Sequence, residues 1–356
     1  MLYRFYRARK TSDLLLAVFL IITGLRCTAY MIGFMSWYDT FPNTKINYFL
    51  PDFSLILGPL MFFYVKSLTV QTFAFKKRDI WHAIPWLLYV ALQAIIYIYD
   101  AQQPNFDEVQ NGVLYSAINF RIGPYMLVLG IISRGIYFFY AARIFIEFRT
   151  KILEFFSNTY KVELNWLRNF LIGYLTLFIL RITFVTLNYL IDISWTQNWW
   201  WYLIASMLLV YLGLMGLFAD LGKLSELKFI EKTDSEEAGK SEIDQNELAR
   251  LKTLMAEEKL YLQPDLTLAE LAKNLSIPVN HLSKLINQGM GKNFNDFVNE
   301  FRIEEVKRAF NDPSNAQYSI LGIAFNCGFN SKATFNRVFK KLTGASPSEY
   351  KTQSQH

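Results

Sequence analysis

The chain has 356 residues, 53% of them apolar and 17% aromatic, and a formal net charge of +6. That is too apolar for an ordinary soluble protein, and the modest charge says little until it is located. Two cysteines, Cys27 and Cys327, lie in different halves and form no disulfide framework. Only three histidines are present, with no glycine-rich phosphate loop and no nucleophile–base arrangement, so no catalytic residue, metal ligand set or cofactor is expected, and an enzyme is disfavoured.

The apolar residues concentrate before about residue 221, in runs over 14–36, 46–68, 80–99, 122–146, 167–191 and 199–220. Each is near the roughly 20 residues needed to cross about 30 Å of hydrocarbon, which predicts a polytopic helical domain over 1–222. No cleavable signal peptide is expected, because the first run leads into aromatics and charge. Pro51, Pro59, Pro85 and Pro124 lie in or near the runs, and the cluster Trp199–Tyr202 suits an interface belt.

Basic residues set the expected orientation. Arg7, Arg9 and Lys10 precede the first run; Lys76, Lys77 and Arg78 follow the second; Arg149, Lys151 and Lys161 follow the fourth; Lys223 follows the sixth. The alternate loops hold only Lys45 and Arg121 beside Asp39, Asp100, Asp107 and Glu108. Both chain ends are therefore expected in the cytoplasm, with membrane lipid as a partner. Arg26, Arg134 and Arg181 fall near the middle of their runs, where charge is costly, while acids are few: Asp52 near the second run and Asp192 at the end of the fifth. Two accounts stay open. Arg26, Arg134 and Arg181, with Asp52, line a site for a small anionic ligand, or they pair with Asp52, tyrosine hydroxyls and backbone carbonyls. His82 and Asp100, near span ends, read as interfacial.

Residues 223–245 lose periodicity and gain charge, as a linker does. From 246 to the end the pattern is helical again. Leu251, Leu254 and Met255 repeat at helical spacing, and Thr267-Leu268-Ala269-Glu270 is a capping box. After the turn Leu275–Pro278, Leu282, Leu285 and Ile286 point inward and Asn280, Ser283, Lys284 and Asn287 outward. Phe294 to Phe310 predicts one amphipathic helix of about 25 Å. Beyond a turn at Gly328, Phe335, Val338, Phe339 and Leu342 form a stripe at i, i+3, i+4 and i+7, leaving Lys332, Asn336, Arg337, Lys340 and Lys341 outside.

Residues 247–352, with Ile323–Tyr350 as their most specific part and Gly344, Pro347 and Tyr350 as a closing motif, resemble the double helix-turn-helix domain of the AraC/XylS family of bacterial transcription regulators. The resemblance implies an all-α fold with two reading helices on a rigid connecting helix, double-stranded DNA as partner, and a membrane-bound transcription regulator at the bacterial inner membrane. A reading-helix separation near one DNA turn, about 34 Å, would admit both helices to successive major grooves. After residue 246, ten Lys and four Arg stand against eleven acidic residues, so the basic groups must be concentrated on the reading face. Chemistry suggests the roles: Arg337 for guanine, Asn336 or Asn280 for adenine, Lys340 and Lys341 for phosphates. His281 reads as structural or phosphate-facing. A homodimer is expected from the logic of paired half-sites. The alternative is a membrane transporter or receptor with a regulatory DNA-binding tail.

Overall fold

The computed structural model describes residues 6, 10–34, 45, 48, 49, 52–70, 73–104, 106, 112–158, 165–191, 195–218 and 244–354. Among them every regular element is a helix, and the one β-bridge, between Phe156 and Thr267, is isolated. The chain divides into two compact units, Met1–Ile146 with Leu164–Lys228, and Glu147–Glu163 with Phe229–His356. The expected linker 223–245 lies outside the described residues except for Asp244 and Gln245 at its end.

The first unit is built on six long helices: α1 (Thr11–Phe34), α2 (Ser54–Thr69), α3 (Ile84–Ala101), α4 (Gly123–Phe155), α5 (Asn165–Ile191) and α6 (Trp195–Phe218). Helices α3, α4 and α5 are long and apolar enough to cross a membrane, and shorter apolar stretches run over Thr11–Leu25, Ser54–Thr69 and Trp200–Gly216. Helix α1 packs on α2 and α6, and α5 packs on α6. Helix α2 begins later than residue 46, at Ser54, and just ahead of it the Asp52 carboxylate accepts the Ser54 N–H at 2.5 Å in a local turn. Helix α3 begins at Ile84 because Lys77–His82 winds as a tighter 3₁₀ turn, with the Lys76 N–H held by Asp79 at 2.8 Å. Helix α4 continues past residue 146 to Phe155, and its last turns belong to the second unit.

Asp100, expected at an interface, is 1% exposed. It lies 3.2 Å from the equally buried Lys45 ammonium and accepts the Val113 N–H at 2.7 Å, so its burial is compensated by charge and hydrogen bonding. His82 sits with Nδ1 2.6 Å from the Tyr137 hydroxyl.

The second unit contains seven further helices: α7 (Gln245–Glu258), α8 (Leu268–Leu275), α9 (Val279–Met290), α10 (Phe294–Asn311), α11 (Ile320–Asn326), α12 (Lys332–Thr343) and α13 (Pro347–Ser354). Their starts are chemically marked. Glu270 N–H donates to Thr267 Oγ1 at 3.2 Å while Thr267 N–H donates to the Glu270 carboxylate at 2.8 Å, closing the capping box of α8. Asn293, Ser319 and Ser331 cap α10, α11 and α12 in the same sense.

Two apolar cores result. One gathers α7, α8, α9 and the start of α10; the other gathers the end of α10 with α11 and α12. Helix α10 serves both, with Phe297 and Val298 in the first and Ile303 and Val306 in the second. Leu342, expected in the buried stripe of α12, is instead 40% exposed. The reason is that Tyr350 of α13 covers Phe339, with ring centroids 5.4 Å apart, and leaves the last turn of α12 open.

Candidate nucleic-acid interface

Two helices present polar faces from these cores. On α9, Leu282, Leu285 and Ile286 are buried, while Asn280 and Lys284 are exposed and Ser283 is partly so. Asn280, Ser283 and Lys284 fall at i, i+3 and i+4, one face of the helix. On α12, Phe335, Val338 and Phe339 are buried, and Lys332, Asn336, Arg337, Lys340 and Lys341 are all exposed. Every side chain singled out for DNA contact is thus on an outer surface or partly so.

The turns that launch these helices are tight. Ser276, ahead of α9, has φ +60, and Gly328, ahead of α12, has φ +89. A Cβ on Gly328 would lie 2.5 Å from the Tyr261 carbonyl oxygen and 2.9 Å from Arg302 Nε, so only glycine allows the second turn to approach the first half so closely.

The distribution of ion pairs sharpens the thin charge excess. Lys259 with Glu305, Lys292 with Glu300, Lys307 with Glu304 and Arg308 with Glu305 all pair within 3.3 Å. Among the described residues Lys284, Lys332, Arg337 and Lys340 make no such pair, so their charge is left on the α9 and α12 faces. Lys341 differs: its ammonium lies 2.9 and 3.0 Å from the two Asp296 oxygens on α10. That pair is exposed and therefore weak, so a phosphate can compete for the lysine. His281 is tied to α7, with Nε2 2.6 Å from Glu247, which gives it a structural role.

Charge also organises the interior. Glu305 is pushed up by burial, but the hydrogen bond and charge of Lys259 and the bond from Tyr261 outweigh this and hold it below the usual glutamate range. Burial, with Glu305 nearby, pushes the Cys327 thiol up to about 12, so it stays a neutral, poorly reactive core group at neutral pH.

One set of residues went unnoticed in the sequence. Asn295, Asn299 and Arg302 form a buried polar ladder on α10, with Asn299 Nδ2 donating to Asn295 Oδ1 at 2.9 Å. Arg302, 1% exposed, donates from Nε to the Tyr261 carbonyl at 2.7 Å and from Nη2 to the Gln263 carbonyl at 2.8 Å. Desolvation lowers its pKa to about 10, with Asp265 acting in the opposite sense. The signal was present: the three polar residues recur at i, i+4 and i+7.

In the first unit a cavity of about 80 Å³ is lined by Arg134 and Arg181 together with Phe19, Tyr174, Phe178 and Trp201. Arg134 Nε donates to the Gly130 carbonyl at 2.9 Å, and Arg181 Nε is buried without a hydrogen-bond partner among the described residues. Asp52 does not line this cavity; its carboxylate accepts the Ser54 N–H ahead of α2, and its carbonyl accepts the Trp86 Nε1–H at 3.1 Å. The Arg26 side chain lies outside the described residues.

Two turns, two outward basic helices and a shared connecting helix define a double helix-turn-helix domain, and this C-terminal domain is of the AraC type. Residues 271–353 match the family described as "Helix-turn-helix domain". An uncharacterized HTH-type transcriptional regulator of Staphylococcus aureus (strain COL) is 36% identical over 93 residues, covering 26% of this chain and 12% of that protein. The arabinose operon regulatory protein of Salmonella typhimurium (strain LT2) is 33% identical over 84 residues, covering 24% of this chain and 29% of its own. A protein of unknown function from Listeria innocua has a solved structure similar to 32% of this chain, at 26% identity, 98% coverage of its own length and a TM-score of 0.25. The chain therefore spans only a small part of the curated relatives it matches, and the family match lies in the C-terminal domain.

Proposed function

We propose that this chain is a sequence-specific transcription regulator held in the bacterial inner membrane, with its double helix-turn-helix domain in the cytoplasm. The observation that carries the reading is the pair of exposed faces on α9 and α12, where unpaired cations and amides stand on well-packed apolar bases. Arg337 suits a bidentate contact to guanine, and Asn336 and Asn280 suit adenine. Lys332, Lys340, Lys341, Lys284 and Ser283 suit phosphates, which position the domain without specifying sequence.

The membrane placement rests on the three long apolar helices and the three shorter apolar stretches. Along α4, Val128, Ile132, Ile136 and Phe139 are all exposed at helical spacing, a stripe that lipid would cover. The basic residues flanking alternate runs favour cytoplasmic ends. Two copies binding two half-sites would raise apparent affinity through effective concentration.

The input we assign is a small anion. The cavity of about 80 Å³ has room for a carboxylate- or phosphate-sized group, and its lining includes two guanidiniums and, among the described residues, no carboxylate. Substituting Arg134 and Arg181 with Gln should abolish signal-dependent transcription while leaving DNA affinity in place; an intact response would remove the anion from the scheme.

The test of the main reading is selection from a pool of random duplexes by the full-length protein in lipid vesicles. An enriched sequence with two half-sites about one helical turn apart is expected. No enrichment would overturn the assignment, and uptake of solute into the vesicles would favour the transporter alternative.

A further inference from the structure

The second unit includes a stretch remote from it in sequence. Residues Phe155–Asn158 begin with the last residue of α4, and they are built into the C-terminal unit at the point where its two apolar cores meet. Ser157 is 1% exposed. Its Oγ donates to the Leu266 carbonyl at 2.6 Å and its N–H to the same oxygen at 3.2 Å. The Ser157 carbonyl accepts from Asn295 Nδ2 at 2.8 Å and from Arg302 Nη1 at 3.3 Å, and its Oγ accepts from Arg302 Nη2 at 3.2 Å. The Phe156 carbonyl accepts a second contact from Asn295 at 3.2 Å, and Asn158 Nδ2 donates to Asp265 Oδ1 at 3.1 Å. Phe155 packs against the apolar core of α7 to α10.

This is a matched site and not a grazing contact. The polar ladder of α10 points its donors at the backbone of the segment, and a buried guanidinium needs those acceptors, since leaving it unsatisfied costs several kcal/mol. Arg302 also holds the loop that enters the first helix-turn-helix, through the Tyr261, Gln263 and Pro264 carbonyls. The same guanidinium lies 5.8 Å from the ring of Phe329, in the turn of the second. One residue thus touches the first reading half, the second reading half and the segment that ends α4.

We propose that the cleft around Asn295 and Arg302 is a docking site for the chain's own Phe155–Asn158 segment, and that its occupation fixes the placement of the two reading helices relative to each other. Because α4 runs unbroken from the first unit into this segment, displacement of α4 reaches the hub by a route separate from the residues that join α6 to α7. A docked segment holds α9 and α12 in the mutual placement that successive major grooves of one duplex require; a released one lets them reorient. The role assigned to docking rests on the DNA-binding reading above, whereas docking itself does not.

The experiment uses the full-length protein in lipid vesicles. Asn158→Cys and Asp265→Cys are combined in a background where Cys27 and Cys327 are replaced by Ala, and a short bifunctional thiol reagent is added. Docking predicts an intramolecular cross-link formed at least tenfold faster than in the urea-unfolded chain; equal rates would overturn it.

The second arm uses Asn158→Asp, which sets a carboxylate against Asp265. With duplexes selected by the wild-type protein, this variant should lose at least tenfold in affinity for the selected duplex. It should lose less than twofold for the same duplex with the bases that one of the two reading helices contacts scrambled. Adding Asp265→Asn restores a donor–acceptor pair and should recover most of the loss. Unchanged affinity, or equal loss on both duplexes without recovery, would overturn the coupling. If no duplex is enriched at all, the functional reading falls while the cross-linking result still decides docking.

Discussion

The two units of this chain use the same apolar residues in opposite ways. In the first, Leu88 and Ile95 on α3 stand 67% and 65% exposed, while in the second Leu282 and Phe339 are completely buried. A large apolar side chain costs free energy in water and none in hydrocarbon, so exposure on this scale is what the membrane placement proposed for the first unit requires, and burial is what water requires of the second. The contrast also explains why one chain joins apolar helices that are long enough to span a bilayer to short, sharply amphipathic ones. In lipid a helix must satisfy its backbone alone and present apolar groups outward; in water it must hide one stripe and show the other.

The comparison is broken most severely from the aqueous side. Phe339 packs its ring against Phe310, Phe335 and Tyr350. Phe339→Ala should therefore destabilise the C-terminal unit by about 3–5 kcal/mol, read as a shift of its denaturant midpoint in the full-length protein. A loss under about 1 kcal/mol would mean that the second core is not the closed cluster described. On the other side, Ile95→Arg should oppose membrane integration by roughly 2.5–3.5 kcal/mol, because α3 would carry a charge into hydrocarbon. Full integration of that variant into membranes would show that this face of α3 meets water or protein instead.

Legibility in the sequence followed the same division. The apolar runs announced α1 to α6 because hydropathy is a local quantity, and the capping box at Thr267 and Glu270 marked the start of α8 for the same reason. The C-terminal extension of α4 escaped, since Arg143, Glu147 and Arg149 lower the hydropathy without lowering helix propensity. The exposure of Leu342 escaped because it depends on where α13 folds back, which no periodicity within α12 records. The hub was least legible. Asn295, Asn299 and Arg302 read as ordinary polar positions of an amphipathic helix, and the groups that bury them include Phe156 and Ser157, far upstream. The outward faces of α9 and α12 were accessible to sequence reasoning because their burial alternates within a single helix. Their roles still rest on chemistry rather than contact.

The finest test of the comparison separates two cations that share α12. Arg337 and Lys340 are both exposed, both without an ion pair among the described residues, and one turn apart. Their shapes predict different losses. A guanidinium presents a planar fork that matches the two acceptors of guanine, whereas an ammonium is a point charge suited to phosphate. Arg337→Ala should weaken binding to the selected duplex by about 1–3 kcal/mol and relax preference at a single base position. Lys340→Ala should weaken all duplexes alike and reduce the salt dependence by about one counterion. If Arg337→Ala lowered every affinity equally, with no change in sequence preference, then α12 would be gripping the backbone only, and the reading of bases would have to be carried by Asn280 and its neighbours on α9.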